Sequence, residues 1–103
     1  MTITITARRF KAHDTLKDFI KDEVSSLSKY SDDIINAEVI LSFQNSKDSI
    51  KSAEINLVIP GHTIVAKEDS DDFKKSINAA TEKITRQLKK IKTKKIVRVK
   101  WLK

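Results

Sequence analysis

Lys83, Arg86, Lys89 and Lys90, with Lys75 before them and Lys94 after, are the residues of this 103-residue chain whose types and spacing could do chemistry. They recur at intervals that match a 3.6-residue repeat, so a helix over residues 70–92 would carry them along its outer side. Cations at fixed spacing on a rigid rod suit phosphates laid along that rod, or an acidic membrane surface. A solvated, frayed tail is the plainer alternative. The charge distribution sharpens the point. Residues 1–82 hold 11 Lys/Arg against 14 Asp/Glu, whereas residues 83–103 hold 10 Lys/Arg and no carboxylate side chain.

Little else in the chain could be catalytic. His13 and His62 are the two histidines and cysteine is absent, while a zinc site needs three or four ligands. Asp69, Asp71 and Asp72 lack the spacing and turn glycine of an EF-hand. The single glycine, Gly61, leaves no Gly-rich loop to cradle phosphates. Neither a metal nor a cofactor is expected, and the chain does not read as an enzyme. The absence of cysteine fits a reducing compartment. No apolar run reaches the roughly 20 residues that span a bilayer, and residues 1–10 lack the apolar core of a signal peptide. The cytoplasm is the expected location.

The elements that must position the cations follow from hydrophobic periodicity. Thr2 to Thr6 alternate with Ile3 and Ile5 inward, a strand; Arg8, Arg9 and Lys11 follow as exposed charges. Leu16, Phe19, Ile20, Val24 and Leu27 return at helical spacing, predicting a helix over residues 14–30 with His13 at its cap position. Residues 34–45 and 50–59 alternate again, joined by a polar turn at 45–48. Pro60-Gly61 predicts a type II turn, since proline presets the first central φ and glycine accepts a positive φ at the second. A last strand then covers residues 62–67. The acidic run 68–72 is expected to end the sheet, with Ser70 or Asp71 capping the next helix. In that helix Phe73, Ile77, Ala80, Ile84, Leu88 and Ile91 form one apolar stripe, and the cations project elsewhere.

Val97, Val99 and Trp101 alternate with Arg98 and Lys100, a strand rhythm. Trp101 could stack on a base or dock on the protein's own surface, and docking is the favoured reading. The predicted division is a domain over residues 1–95 and a basic tail over 96–103. The order β-α-β-β-β-α gives an α+β two-layer sandwich, a four-stranded mixed sheet with both helices on one face. Its first two strands should be parallel, joined by a right-handed crossover.

The stretch Ser70-Asp71-Asp72-Phe73, followed by Ile77, Lys83-Ile84, Arg86-Gln87-Leu88 and Lys90, resembles the second-helix motif of the short ribosome hibernation promoting factors, the family that includes protein Y. Ile5-Thr6-Ala7-Arg8 and Leu16-Lys17-Asp18-Phe19-Ile20 add to the likeness, which spans about residues 2–94. The resemblance implies a fold like that of double-stranded RNA-binding domains. It implies binding to the small ribosomal subunit in the channel between head and body, over the messenger RNA and transfer RNA sites, which silences idle ribosomes. Lys83, Arg86, Lys90, Lys94 and Arg8 match the family's basic positions and would bond ribosomal RNA phosphates; Lys75 and Lys89 belong to the same basic surface. Departures are Ala7 for a glycine, His13 for a capping Ser/Thr, and Lys74 for a tyrosine. Long members pair ribosomes through a further C-terminal domain, so this chain is expected to stay monomeric off the ribosome and not to pair ribosomes itself. A general structured-RNA-binding module is the alternative.

Overall fold

The computed structural model describes residues 1–8, 10–44 and 50–101, the side chains of 44 and 92–101 excepted. Arg9, the expected turn at 45–48 and the docking of the Trp101 side chain lie outside the described residues. The elements are β1 (Thr2–Arg8), α1 (Asp14–Ser25), a 3-10 turn (Ser26–Lys29), β2 (Asn36–Gln44), β3 (Ile50–Ile59), β4 (His62–Ser70) and α2 (Phe73–Trp101).

The sheet runs β1-β2-β3-β4. β1 pairs parallel with β2, Ile3 opposite Ala37 and Ile5 opposite Val39, and the other two pairings are antiparallel. One parallel pair with a helix between its strands is the expected crossover. Both helices cover the same side of the sheet, α2 over β3 and β4, with α1 packed beside it. Strand alternation decides what meets the helices. Val39 and Leu41 of β2 and Ile55 and Leu57 of β3 are fully buried against Ile20, Val24 and Leu27 and against Ile77 and Ile84. Gly61 has φ 79° between β3 and β4, the positive value required there.

Several boundaries differ from expectation, and three of the differences have a cause in the structure. The first helix narrows to a 3-10 turn after Ser25 because the Ser26 and Ser28 hydroxyls bond back to the carbonyls of Glu23 and Ser25, competing with the α ladder. β4 does not end at residue 67 but runs to Ser70, since β3 is long enough to pair Lys51 with Ser70 and Ser52 with Asp69. The Ser52 hydroxyl also donates to the Asp69 carboxylate at 2.5 Å. The third is the stretch 97–101, which is helical and not extended: α2 continues to Trp101. Neither glycine nor proline interrupts residues 73–103, and the β-branched residues there weaken a helix only slightly beside Lys and Arg.

The cap of α2 is Asp72, not Ser70 or Asp71. Its carboxylate accepts the Lys74 N–H at 3.0 Å, and the Ser70 oxygen accepts the Asp72 N–H at 3.1 Å. Ser76, fully buried, then ties the first turn to the sheet by donating to the Lys51 carbonyl at 2.7 Å. His13 stands at the cap of α1 without a side-chain cap bond.

Candidate nucleic-acid interface

The stripe predicted for α2 is the buried one. Ile77, Ala80 and Ile84 have no exposed surface, Leu88 is 3 % exposed, and Phe73 and Ile91 pack at its ends. Burial of that stripe fixes the helix in rotation, and with about 100° between successive residues the other positions follow. Lys83 and Lys90, seven apart, fall on one flank; Arg86 lies between them and further round, on the outermost line. Lys94 is in register with Lys83 and Lys90 along the helix backbone. Lys75 lies near the start of α2, about 16 Å along the axis from Arg86 by the rise per residue. Lys89 falls on the opposite flank, toward the first helix, with its ammonium 5.3 Å from the centre of the Tyr30 ring.

What surrounds these cations divides them further. Lys75 pairs with Asp71 at 3.3 Å and Lys83 with Glu68 at 3.5 Å. Arg86 and Lys90 are exposed and have no hydrogen-bond or ion-pair partner among the described residues. Among the described side chains of this basic surface they are the two charges that meet an incoming anion without giving up an existing contact. Lys75 holds the Asp71 carboxyl below the ordinary carboxylate range, by its hydrogen bond first and its charge second.

Arg8 is not brought to this surface. It is exposed at the end of β1, where alternation puts Thr2, Thr4, Thr6 and Arg8 on one side and the half-buried Ile3, Ile5 and Ala7 on the side of the helices. Arg8 therefore belongs to the open face of the sheet. The sequence reading also missed two groups that shape the interface, Glu68 and Tyr30. Glu68 follows Ile64 and Ala66 at the strand period, so its helix-facing position was readable once β4 was taken past residue 67. Tyr30 carried no signal, because its contact with Lys89 depends on how the two helices pack.

Aromatic contacts anchor the start of α2. Phe73 stacks on Phe10 with ring centres 5.0 Å apart and planes 15° from parallel. Lys51 stands 5.9 Å from the centre of the same Phe73 ring, and Lys74 stands 5.6 Å from that of Phe19. Where the family pattern has a tyrosine, Lys74 thus covers a ring of the first helix. Among the described residues no group of His, Cys, Asp and Glu is placed to hold a metal ion. No helix of those residues is long and apolar enough to cross a membrane.

The sequence profile of the sigma 54 modulation protein / S30EA ribosomal protein family matches residues 3–96. The chain belongs to this family. Among its relatives is the ribosome hibernation promoting factor of Azotobacter vinelandii, 30% identical over 98 residues that cover 95% of this chain and 89% of that one. Solved structures share the fold. A ribosomal subunit interface protein from Coxiella burnetii superposes with a TM-score of 0.82 at 26% identity, over 90% of this chain and 99% of the other. The N-terminal domain of Thermus thermophilus protein Y does so with a TM-score of 0.80 at 25% identity, over 88% and 99%. The four-stranded mixed sheet with two helices is therefore the architecture of these family members, and the profile match ends within α2, beyond Lys94.

Proposed function

We propose that this protein is a ribosome hibernation factor: it binds the small ribosomal subunit in the messenger RNA and transfer RNA channel and silences idle ribosomes. It acts by occupancy and not by catalysis, as a monomer in the cytoplasm. The observation that carries the reading is the pair Arg86 and Lys90, exposed and unpartnered among the described residues on a helix held by buried Ile84 and Leu88, in a chain of this family. A rigid row of cations recognises the position and shape of phosphates, not base sequence. Residues 1–95 form the binding unit, and the cations beyond it extend the charge along α2. Arg8, on the other side of the sheet, contributes at most through a separate contact.

Sedimentation tests this directly. With purified small subunits at low salt the protein is expected to travel with the subunit peak and to leave it steeply as salt rises, because each neutralised phosphate releases counterions. Protein remaining at the top of the gradient at low salt sinks the proposal. Equal affinity for free duplex RNA and for subunits in competition would favour a general RNA-binding module instead.

Glu68 supplies a second expectation. Phosphate must displace its carboxylate to reach Lys83, so Glu68→Gln should tighten binding to small subunits. Exposed ion pairs contribute about 0–1 kcal/mol, which limits the gain to about fivefold. Fluorescence anisotropy at low salt reads it, and weaker binding by the variant would show that Glu68 supports the interface and does not compete with it.

A further inference from the structure

The two helices leave a groove of about 350 Å³ between them on the solvent side, at the lower end of the range of small-molecule sites. Its lining is weighted toward acceptors. Ser26, Thr81 and Thr85 line it, and each has already committed its hydroxyl hydrogen to a helix carbonyl: Ser26 to Glu23 at 2.5 Å, Thr81 to Ile77 at 2.8 Å and Thr85 to Thr81 at 2.9 Å. Toward a ligand these three present oxygen lone pairs only. Glu23 and Glu82 stand on opposite walls of the same groove, without an ion-pair partner among the described residues.

The two carboxylates therefore ask a ligand for hydrogen-bond donors, whereas Asn78 and Tyr30, which also line the groove, can donate as well as accept and suit either kind of group. Arg86 adds a second condition, because it lines the same groove and is also unpaired among the described residues. A polyamine would satisfy the carboxylates but be repelled by the guanidinium; a bare phosphate would suit Arg86 but face two carboxylates. A nucleotide meets both conditions, with its phosphate on Arg86 and its base edge toward the acids. Guanine fits best, since N1–H and the N2 amino group lie side by side and can pair bidentately with one carboxylate, as a guanidinium fork does. Uracil has no amino group.

We propose that the α1–α2 groove receives one unstacked guanine of a bound RNA, its donor edge on the Glu82 or Glu23 carboxylate and its flanking phosphate on Arg86. This rests on the nucleic-acid reading of the α2 surface and adds base selection to it. Recognition of extruded bases on their Watson–Crick edge is how proteins commonly read RNA sequence.

The test titrates the full chain, isotopically labelled for NMR, with the pentanucleotides UUGUU and UUUUU. UUGUU is expected to move the amides of Ser26, Glu82 and Thr85 and to bind about tenfold or more tighter than UUUUU, the discrimination of a good bidentate contact. In the Glu23→Gln/Glu82→Gln double variant that preference should fall below about twofold, with the rest of the spectrum unchanged. Equal affinity of the wild type for the two oligonucleotides overturns the proposal, as does a preference that survives in the variant. Spermidine moving the same amides, with UUGUU unable to displace it, would identify a polyamine groove and overturn it too. Sedimentation of the same sample with small subunits keeps the two readings separate: subunit binding without guanine preference sinks only the groove.

Discussion

Replacing Arg86 and Lys90 together by glutamate is expected to weaken binding to small ribosomal subunits by at least about a hundredfold while leaving the fold intact. Charge-assisted hydrogen bonds contribute about 1.5–3 kcal/mol each, so losing two removes about 3–6 kcal/mol, and 1.4 kcal/mol is a factor of ten. Repulsion between the new carboxylates and phosphate adds to the loss. The slope of log affinity against log salt should fall by about one for each phosphate contact removed. Both side chains are exposed and unpartnered among the described residues, so circular dichroism and the melting temperature should hardly change. Adding Lys83→Glu should deepen the defect by less than either of the first two, since Lys83 already faces Glu68. The single Lys75→Glu variant should weaken binding less than either, since Lys75 already pairs with Asp71 at the start of α2. A double variant that still binds subunits with wild-type salt dependence would remove Arg86 and Lys90 from the interface.

The complementary variant lies one residue from Lys83. Ile84→Ala deletes a fully buried side chain from the stripe that holds α2 on the sheet, and large-to-small changes of this kind cost about 2–5 kcal/mol. Against a total stability of about 5–15 kcal/mol for an ordinary domain, the variant should stay folded in the cold. It should melt at least about 10 °C lower, given several degrees per kcal/mol for a domain of this size. Chemical denaturation measures the loss. Binding should be near normal at low temperature and disappear along the unfolding transition. Neighbouring positions on one helix thus separate two roles: at 84 stability changes and binding follows, whereas at 86 and 90 binding changes and stability does not. An unchanged midpoint for Ile84→Ala would mean that the stripe is misassigned.

Local repetition makes much of this architecture legible in the sequence. Alternation placed Val39, Leu41, Ile55 and Leu57 on the buried side of their strands. The three-and-four spacing of Ile77, Ala80, Ile84 and Leu88 selected the buried side of α2 and, by exclusion, the side left to the cations. Pro60-Gly61 announced its turn because the geometry is imposed by two residues alone. These features depend on neighbours a few positions apart, so a one-dimensional pattern contains them. The rhythm of residues 97–101 misled for the same reason: five residues are too few to separate a two-residue period from a helix that nothing interrupts.

Tertiary structure decided what each charged group meets. Glu68 reaches Lys83 because β4 extends along β3 and carries its last residues beneath α2. Asp72, and not its neighbours, became the cap because Ser70 is held in the strand while Ser76 is bonded to the Lys51 carbonyl. Arg8, alike in charge to Arg86, was turned to the other side of the sheet by the alternation of β1. The groove arises from two helices that the chain separates by three strands. Periodicity fixes the direction of a side chain relative to its own element; its partner depends on how elements far apart in the chain are packed, and among the cations of α2 that packing left Arg86 and Lys90 unpaired within the described residues.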